Sequence, residues 1–205
     1  IQPKDRVDVI LANPPFGGKE RKQIQQNFPI ASGETANMFL QHFIKKLKPG
    51  GRAGIVIKNT FLSNEDDYLF RKQLLEECNL SIILDLPPKV FTAGGKTVVL
   101  FFEKGKPTEN IWYYQVNLDR NLGKTNPLTE SDLFEFLEAY ETKKLSQNSW
   151  LINISEINQN TWDLSVKNPN IVEKIDNRTP LEIITEIEQL DYDANQALNE
   201  IKRLL

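Results

Sequence analysis

Val7-Asp8-Val9-Ile10-Leu11-Ala12-Asn13-Pro14-Pro15-Phe16 is the stretch on which the fold turns. Its first six residues form a short, nearly continuous apolar run, the pattern of a strand buried in a parallel sheet. Asn13-Pro14-Pro15 ends that run, because proline has no N–H for a ladder and fixes φ. Downstream, helical and strand periods alternate. Residues 36–48 place Phe39, Leu40, Phe43, Ile44 and Leu47 on one helical stripe that Pro49-Gly50-Gly51 stops. Residues 53–57 read as a second strand. Ser63 with Asp66 signals the start of a helix running to about residue 77, with Leu69, Phe70, Leu74 and Leu75 facing inward. Residues 80–86, 97–102 and 111–116 read as three further strands. Strands separated in this way predict an α/β fold built of βαβ units around an open, largely parallel sheet.

The second half changes character. Residues 117–128 are polar, with Gly123 and Pro127, and read as a linker or long loop. Thr129 with Asp132 opens a helix to about residue 145, and residues 146–178 show no dependable period. Thr179-Pro180-Leu181-Glu182 combines an N-cap, a proline at the first helical position and an acid at the third. On the helix that follows, Ile183, Ile187, Leu190, Ala194, Ala197, Ile201 and Leu204 step alternately by four and three residues, a heptad seam. Such a seam fits either packing on its own domain or docking on a partner helix. The expected organisation is therefore 1–117, a sheet-bearing segment; 118–178, a linker and helical extension; and 179–205, a docking helix.

Composition narrows the chemistry. The 205 residues hold one cysteine, Cys78, and one histidine, His42. A disulfide scaffold, a multi-cysteine zinc site and most histidine-based triads are excluded, and a reducing cytoplasmic setting fits. No metal site is expected. No apolar run approaches the roughly 18 residues a membrane helix needs. The net charge of −3 conceals an asymmetry: the first 107 residues carry 16 Lys/Arg against 11 Asp/Glu, and the remaining 98 carry 9 against 17. That division is compatible with nucleic-acid contact at one end and equally with ordinary solvation.

The loop after the first strand carries the candidate site. At the carboxyl end of a strand in an α/β sheet, a loop faces the usual ligand crevice. Pro15 disfavours helical geometry at Pro14, so the Pro14 carbonyl has no helix to join and remains an acceptor. The Asn13 side-chain oxygen is a second acceptor beside it. Two converging acceptors suit a planar, amide-like NH₂, and Phe16 offers a face on which a planar base can stack, a contact worth about 1–3 kcal/mol per base. Lys19, Arg21 and Lys22 lie on a glycine-led loop read as mobile, where they could neutralise phosphates. Gly94-Gly95-Lys96-Thr97 imitates the end of a P-loop, but Val90 stands where its first glycine belongs, so a turn between strands is expected. His42 reads as a surface or packing residue.

The residues 8–17, Asp-Val-Ile-Leu-Ala-Asn-Pro-Pro-Phe-Gly, resemble motif IV of the adenine-specific DNA methyltransferases, and most closely the modification (M) subunit of type I restriction–modification systems. Further stretches are similar to that subunit in the same order: 36–42 with 47–53, 71–80, 86–91 with Lys96 and Thr97, 100–105, 112–114 and 162–170. The resemblance implies part of a Rossmann-like, S-adenosylmethionine-dependent sheet with an α-helical C-terminal tail, and methyl transfer to the exocyclic N6 of a flipped adenine. It implies Asn13, Pro14 and Phe16 as catalytic residues with Pro15 supporting the base pocket. It also implies as partners DNA, a specificity (S) subunit bound through the C-terminal helix, a second M subunit and an endonuclease (R) subunit. A non-catalytic assembly fragment and a protein-glutamine methyltransferase are the alternatives; the latter shares the Asn-Pro-Pro logic.

One departure stands out. The family's cofactor loop is a glycine-rich turn after an earlier strand, and no Gly-x-Gly occurs among the ten glycines here. The cofactor-binding residues are expected upstream of Ile1, and the isolated chain is expected to be inactive. Residues 7–12 would then be an apolar edge strand, covered by another chain, a rearranged segment or a partner polypeptide. Where the family often has proline after its next strand, this chain has Lys58.

Overall fold

The computed structural model describes residues 2–91, 95–171 and 178–204. Six strands, β1 (Val7–Ala12), β2 (Leu47–Lys58), β3 (Cys78–Asp85), β4 (Thr97–Lys104), β5 (Asn110–Gln115) and β6 (Ser149–Asn153), form one sheet in the order β1-β2-β4-β3-β5-β6. The α/β class is as expected, but the sheet is mixed rather than largely parallel. β1 runs parallel to β2 and β3 parallel to β5, whereas β4 is antiparallel to both of its neighbours and β6 antiparallel to β5. The reason lies in the connection from β3 to β4. A parallel return needs a crossover of a dozen or more residues, usually helical. The 11 residues between these strands include Pro87 and Pro88, which resist a helix, so the chain doubles back.

Helices α1 (Lys22–Gln25), α2 (Thr35–Lys46), α3 (Tyr68–Glu77) and α4 (Phe134–Tyr140) accompany the sheet. α2 and α3 cover one face: Leu40, Ile44, Phe70, Leu74 and Leu75 pack with Ile55, Ile57, Leu80, Ile83 and Leu100. On the other face Phe136 of α4 packs with Ile82, Leu84, Trp112 and Tyr114. From Ile82 on, alternate β3 residues enter opposite cores, after a register shift between Leu80 and Ile82, giving the two-faced burial that its apolar run requires. One inward assignment and one helix start need correction. Leu69 is 40% exposed, and α3 begins at Tyr68 after a 3₁₀ turn whose cap is Asn64, its oxygen accepting from the Asp66 amide. The Thr129–Asp132 capping box is present, although a 3₁₀ turn over Glu130–Leu133 precedes α4, which ends at Tyr140.

β6 lies where no period was legible. It is held by Trp150, whose ring stacks on Tyr113 at 5.2 Å and 11°. The buried Tyr113 hydroxyl donates to the Leu164 carbonyl at 3.0 Å, and burial pushes its pKa up. β1 forms the opposite edge. Among the described residues no segment folds back over it, and Val9 and Leu11 are 52% and 80% exposed.

The chain divides into two compact units, one ending at Ile171 and the other beginning at Val172. The second contains α5 (Pro180–Leu204), opened by the expected cap: the Thr179 amide and hydroxyl donate to Glu182 Oε2 at 2.6 and 2.9 Å, and the Glu182 amide donates back to Thr179 Oγ1 at 3.3 Å. These bonds hold the Glu182 carboxyl below its ordinary pKa.

Candidate active site

The Asn-Pro-Pro-Phe turn leaves the sheet at the carboxyl end of β1. Pro14 is buried, Phe16 half-buried, and Asn13 and Pro15 exposed. Gly17 and Gly18 follow with φ of +85° and +142°, a backbone that residues with a Cβ rarely adopt. A Cβ on Gly18 would also lie 2.7 Å from Thr35 Oγ1. That contact identifies what Gly18 is for: the loop is tied to the start of α2. The Thr35 amide donates to the Gly18 carbonyl at 3.3 Å and the Glu20 amide to the Gly33 carbonyl at 3.1 Å. The expected mobile loop is thus an anchored one.

Pro14, Pro15, Phe16 and Gly17 line a cleft of about 100 Å³ together with Glu34, Asn37, Lys58, Phe61 and Asp67. Asn13 precedes this turn in the chain and is not among the residues that line the cleft. Among the described residues no hydrogen bond engages its side chain, and no backbone amide donates to the Pro14 carbonyl. Phe16 gains a companion that sequence reading did not assign a role: Phe91, whose ring centroid lies 5.2 Å away at 52°. Lys19, Arg21 and Lys22 are exposed and none of them lines the cleft.

The cleft also holds polar groups that the sequence concealed. Asp67, 6% exposed, accepts from Asn37 Nδ2 at 2.6 Å and from Asn64 Nδ2 at 3.0 Å, joining α2 to the turn before α3. Behind it Arg71 is fully buried and donates to four carbonyls: Trp162 at 2.6 Å, Phe61 at 2.7 Å, and Asn64 and Thr161 at 2.8 Å. Burial lowers its pKa, opposed by Asp67 and Asp163, but a guanidinium keeps its charge. It fastens the cleft wall to the 161–162 turn, where Trp162 holds a left-handed φ of +49°. The missed signal was its spacing, three and four residues before Leu74 and Leu75 on the buried stripe.

The other candidates fall away from the cleft. His42 is exposed on α2, and partial burial with Lys46 and Lys45 nearby lowers its pKa, so it stays neutral. Gly94 lies outside the described residues, while Thr97 opens a strand rather than the helix a P-loop feeds. Lys96 pairs with Asp85 at 2.8 Å. No cluster of three or more His, Cys, Asp or Glu suited to a metal occurs among the described residues. No described helix is long and apolar enough to cross a membrane.

Residues 2–178 match the family model described as N-6 DNA Methylase. The chain belongs to this family. This N-6 DNA methylase chain is 33% identical over 220 residues to the type I restriction enzyme EcoEI methylase subunit of Escherichia coli, an alignment covering 98% of the chain and 44% of that relative. It is also 35% identical to a modification subunit of a putative type I restriction enzyme from Vibrio vulnificus YJ016, with a TM-score of 0.77 over 86% of the chain and 41% of the solved one. A solved chain from the complex assembly and conformational transition of the type I R-M system is 34% identical with a TM-score of 0.76, covering 99% of this chain and 46% of that one. The chain thus spans about half the length of these relatives.

The family's methyl donor is S-adenosylmethionine. The turn after β1 does not fit a glycine-rich donor cradle: Pro14 and Pro15 have no N–H to offer, and the sequence has no Gly-x-Gly.

Proposed function

We propose that this chain supplies the acceptor-base half of a DNA adenine-N6 methyltransferase of the type I modification kind, with S-adenosylmethionine held by residues outside it. The observation that carries the reading is the pair of unpartnered acceptors, Asn13 Oδ1 and the Pro14 carbonyl, beside an aromatic wall of Phe16 and Phe91. The exocyclic amine of adenine is a poor nucleophile because its lone pair is delocalised into the ring. Accepting both of its hydrogens favours the pyramidal nitrogen of the transition state, and those bonds strengthen as the hydrogens become more positive. The rigid proline turn holds the acceptors in place before the base arrives. Phe16, with Pro15 behind the turn, fixes the ring plane. A protein glutamine has no ring for Phe16 and Phe91 to face, so the aromatic wall favours a nucleobase. Lys19, Arg21 and Lys22, exposed beyond the cleft, are placed for DNA phosphates.

We assign α5 to assembly with the specificity subunit, a second M subunit and the endonuclease subunit joining the same complex. Ile187, Leu190 and Ile201 of its seam are more than half exposed, Ala194 and Ala197 are exposed, and Ile183 is half-buried; the side chain of Leu204 lies outside the described residues. Leu181, Ile184, Tyr192 and Leu198 widen the apolar surface beyond the seam. A helix carrying this much apolar surface suits a coiled-coil-like partner.

The test of the base reading is methyl transfer to cognate DNA by the protein as its gene encodes it. Asn13→Ala is expected to lower kcat by about 10²–10³-fold, as loss of one transition-state acceptor does; unchanged turnover overturns the reading. Removal of residues 180–205 is expected to abolish co-purification with the specificity subunit while the sheet still folds. Unchanged assembly removes α5 from that role.

A further inference from the structure

We propose that Lys58 binds the backbone phosphate flanking the extruded base, an assignment that rests on the adenine reading above. Lys58 ends β2, is half-buried, and lines the cleft together with Pro15 and Phe16. Its ammonium lies 3.4 Å from where a Gly17 Cβ would stand, so the glycine turn leaves room for it at the mouth. At the same edge of the sheet Lys96 has a carboxylate partner, Asp85, at 2.8 Å. Lys58 has none within ion-pair distance among the described residues, and no hydrogen bond holds its Nζ.

An ammonium with no carboxylate in ion-pair contact is free to take an anionic ligand, although Glu34 and Asp67 line the same cleft. The base amine cannot be that ligand, because methylation leaves positive charge on N6 and a facing cation opposes it. The sugar-phosphate attached to the same base can. A base seated on Phe16 keeps its sugar at the mouth of the cleft, where a four-carbon stem delivers a point charge to the adjoining phosphodiester. Lys58 therefore orients the extruded nucleotide from its backbone side while Asn13 and Pro14 orient it from its amine side. Lys19, Arg21 and Lys22 stand outside the cleft, so only Lys58 serves the phosphate nearest the base.

The experiment compares the protein as its gene encodes it with Lys58→Met, Lys58→Gln and Lys58→Arg, measuring cognate-DNA affinity against salt and, separately, donor affinity by calorimetry. Each phosphate contact contributes about 0.9 to the slope of log K against log salt. The Met and Gln variants are expected to bind DNA more weakly with a slope smaller by about 0.9, so that their deficit shrinks about 3.5-fold for a fourfold rise in salt. Arg should restore the slope, and donor affinity should not move. An unchanged slope in folded Met or Gln variants overturns the proposal, as does a loss confined to donor binding, which would assign Lys58 to the donor's carboxylate. Asn13→Ala separates the two readings. It should keep the wild-type salt slope while losing turnover; full turnover there would sink the base reading and the Lys58 assignment with it, whereas an unchanged slope in the Lys58 variants sinks the Lys58 assignment only.

Discussion

Replacing Arg71 by methionine is the most searching perturbation of the cleft's framework. Methionine keeps an unbranched apolar stem, stops short of the guanidinium, and removes all four hydrogen bonds. The carbonyls of Phe61, Asn64, Thr161 and Trp162, now bonded at 2.6–2.8 Å, are left facing an apolar chain. Each stranded buried acceptor costs about 1 kcal/mol or more, so the set amounts to about 4 kcal/mol after the guanidinium's own desolvation is recovered. A further contribution comes from Trp162, whose left-handed backbone the clamp holds in place. Against a domain stability of about 5–15 kcal/mol this is a large fraction. With a urea m-value of about 2 kcal/mol per molar, the unfolding midpoint should fall by about 2 M. Tryptophan fluorescence reports it directly, since Trp162 is at the clamp and Trp150 in the same core. Arg71→Lys, which keeps the charge but not the fork, should lose about half as much. A midpoint shift below about 0.5 M for the methionine variant would refute the clamp.

Three other outcomes follow from the same structure. Burial raises the Asp85 pKa despite Lys96, so the folded state binds this proton more tightly than the unfolded one. Its stabilising contribution is present below the ordinary aspartate value of about 3.9 and lost as pH rises through the raised one; Asp85→Asn should flatten that part of a stability–pH curve. The Cys78 thiol is fully buried and pushed up to about 12, so folded protein at pH 8 should react with a thiol reagent about a thousandfold more slowly than denatured protein; equal rates would contradict the burial. At α5 the Glu182 pKa is lowered by its bonds from Thr179, so its cap is present above the ordinary glutamate range and lost as pH falls through the lowered value. Helicity measured by circular dichroism should fall there, and Thr179→Ala should remove the step.

The parts of this molecule legible in its sequence are those whose signal is local. β1 was visible because six largely apolar residues meet two prolines, and the α5 cap because Thr179, Pro180 and Glu182 are adjacent. The direction of β4 was not visible in its own residues; it is set by the proline-bearing connection before it. β6 is five residues, two of them polar, and the stacking of Trp150 on Tyr113 reveals why it joins the sheet. At the cleft, Pro14 and Phe16 were singled out from residue type and line it, while Asn13 does not; Asp67 and Arg71 look like ordinary helix-surface charges until their partners are known. The pairing of Phe16 with Phe91 links residues 75 positions apart, and no local pattern encodes it.

The central claim is that Asn13 and Pro14 receive the amine of an adenine. It is tested most directly by a ¹⁵N NMR titration with an oligodeoxynucleotide carrying one extrahelical adenine. The expected result is a shift of the Asn13 side-chain amide together with the backbone amides of Phe16, Gly17 and Lys58, absent when the extrahelical base is thymine. Equal shifts for thymine and adenine, or shifts confined to residues away from the Asn13–Gly17 turn, would contradict it.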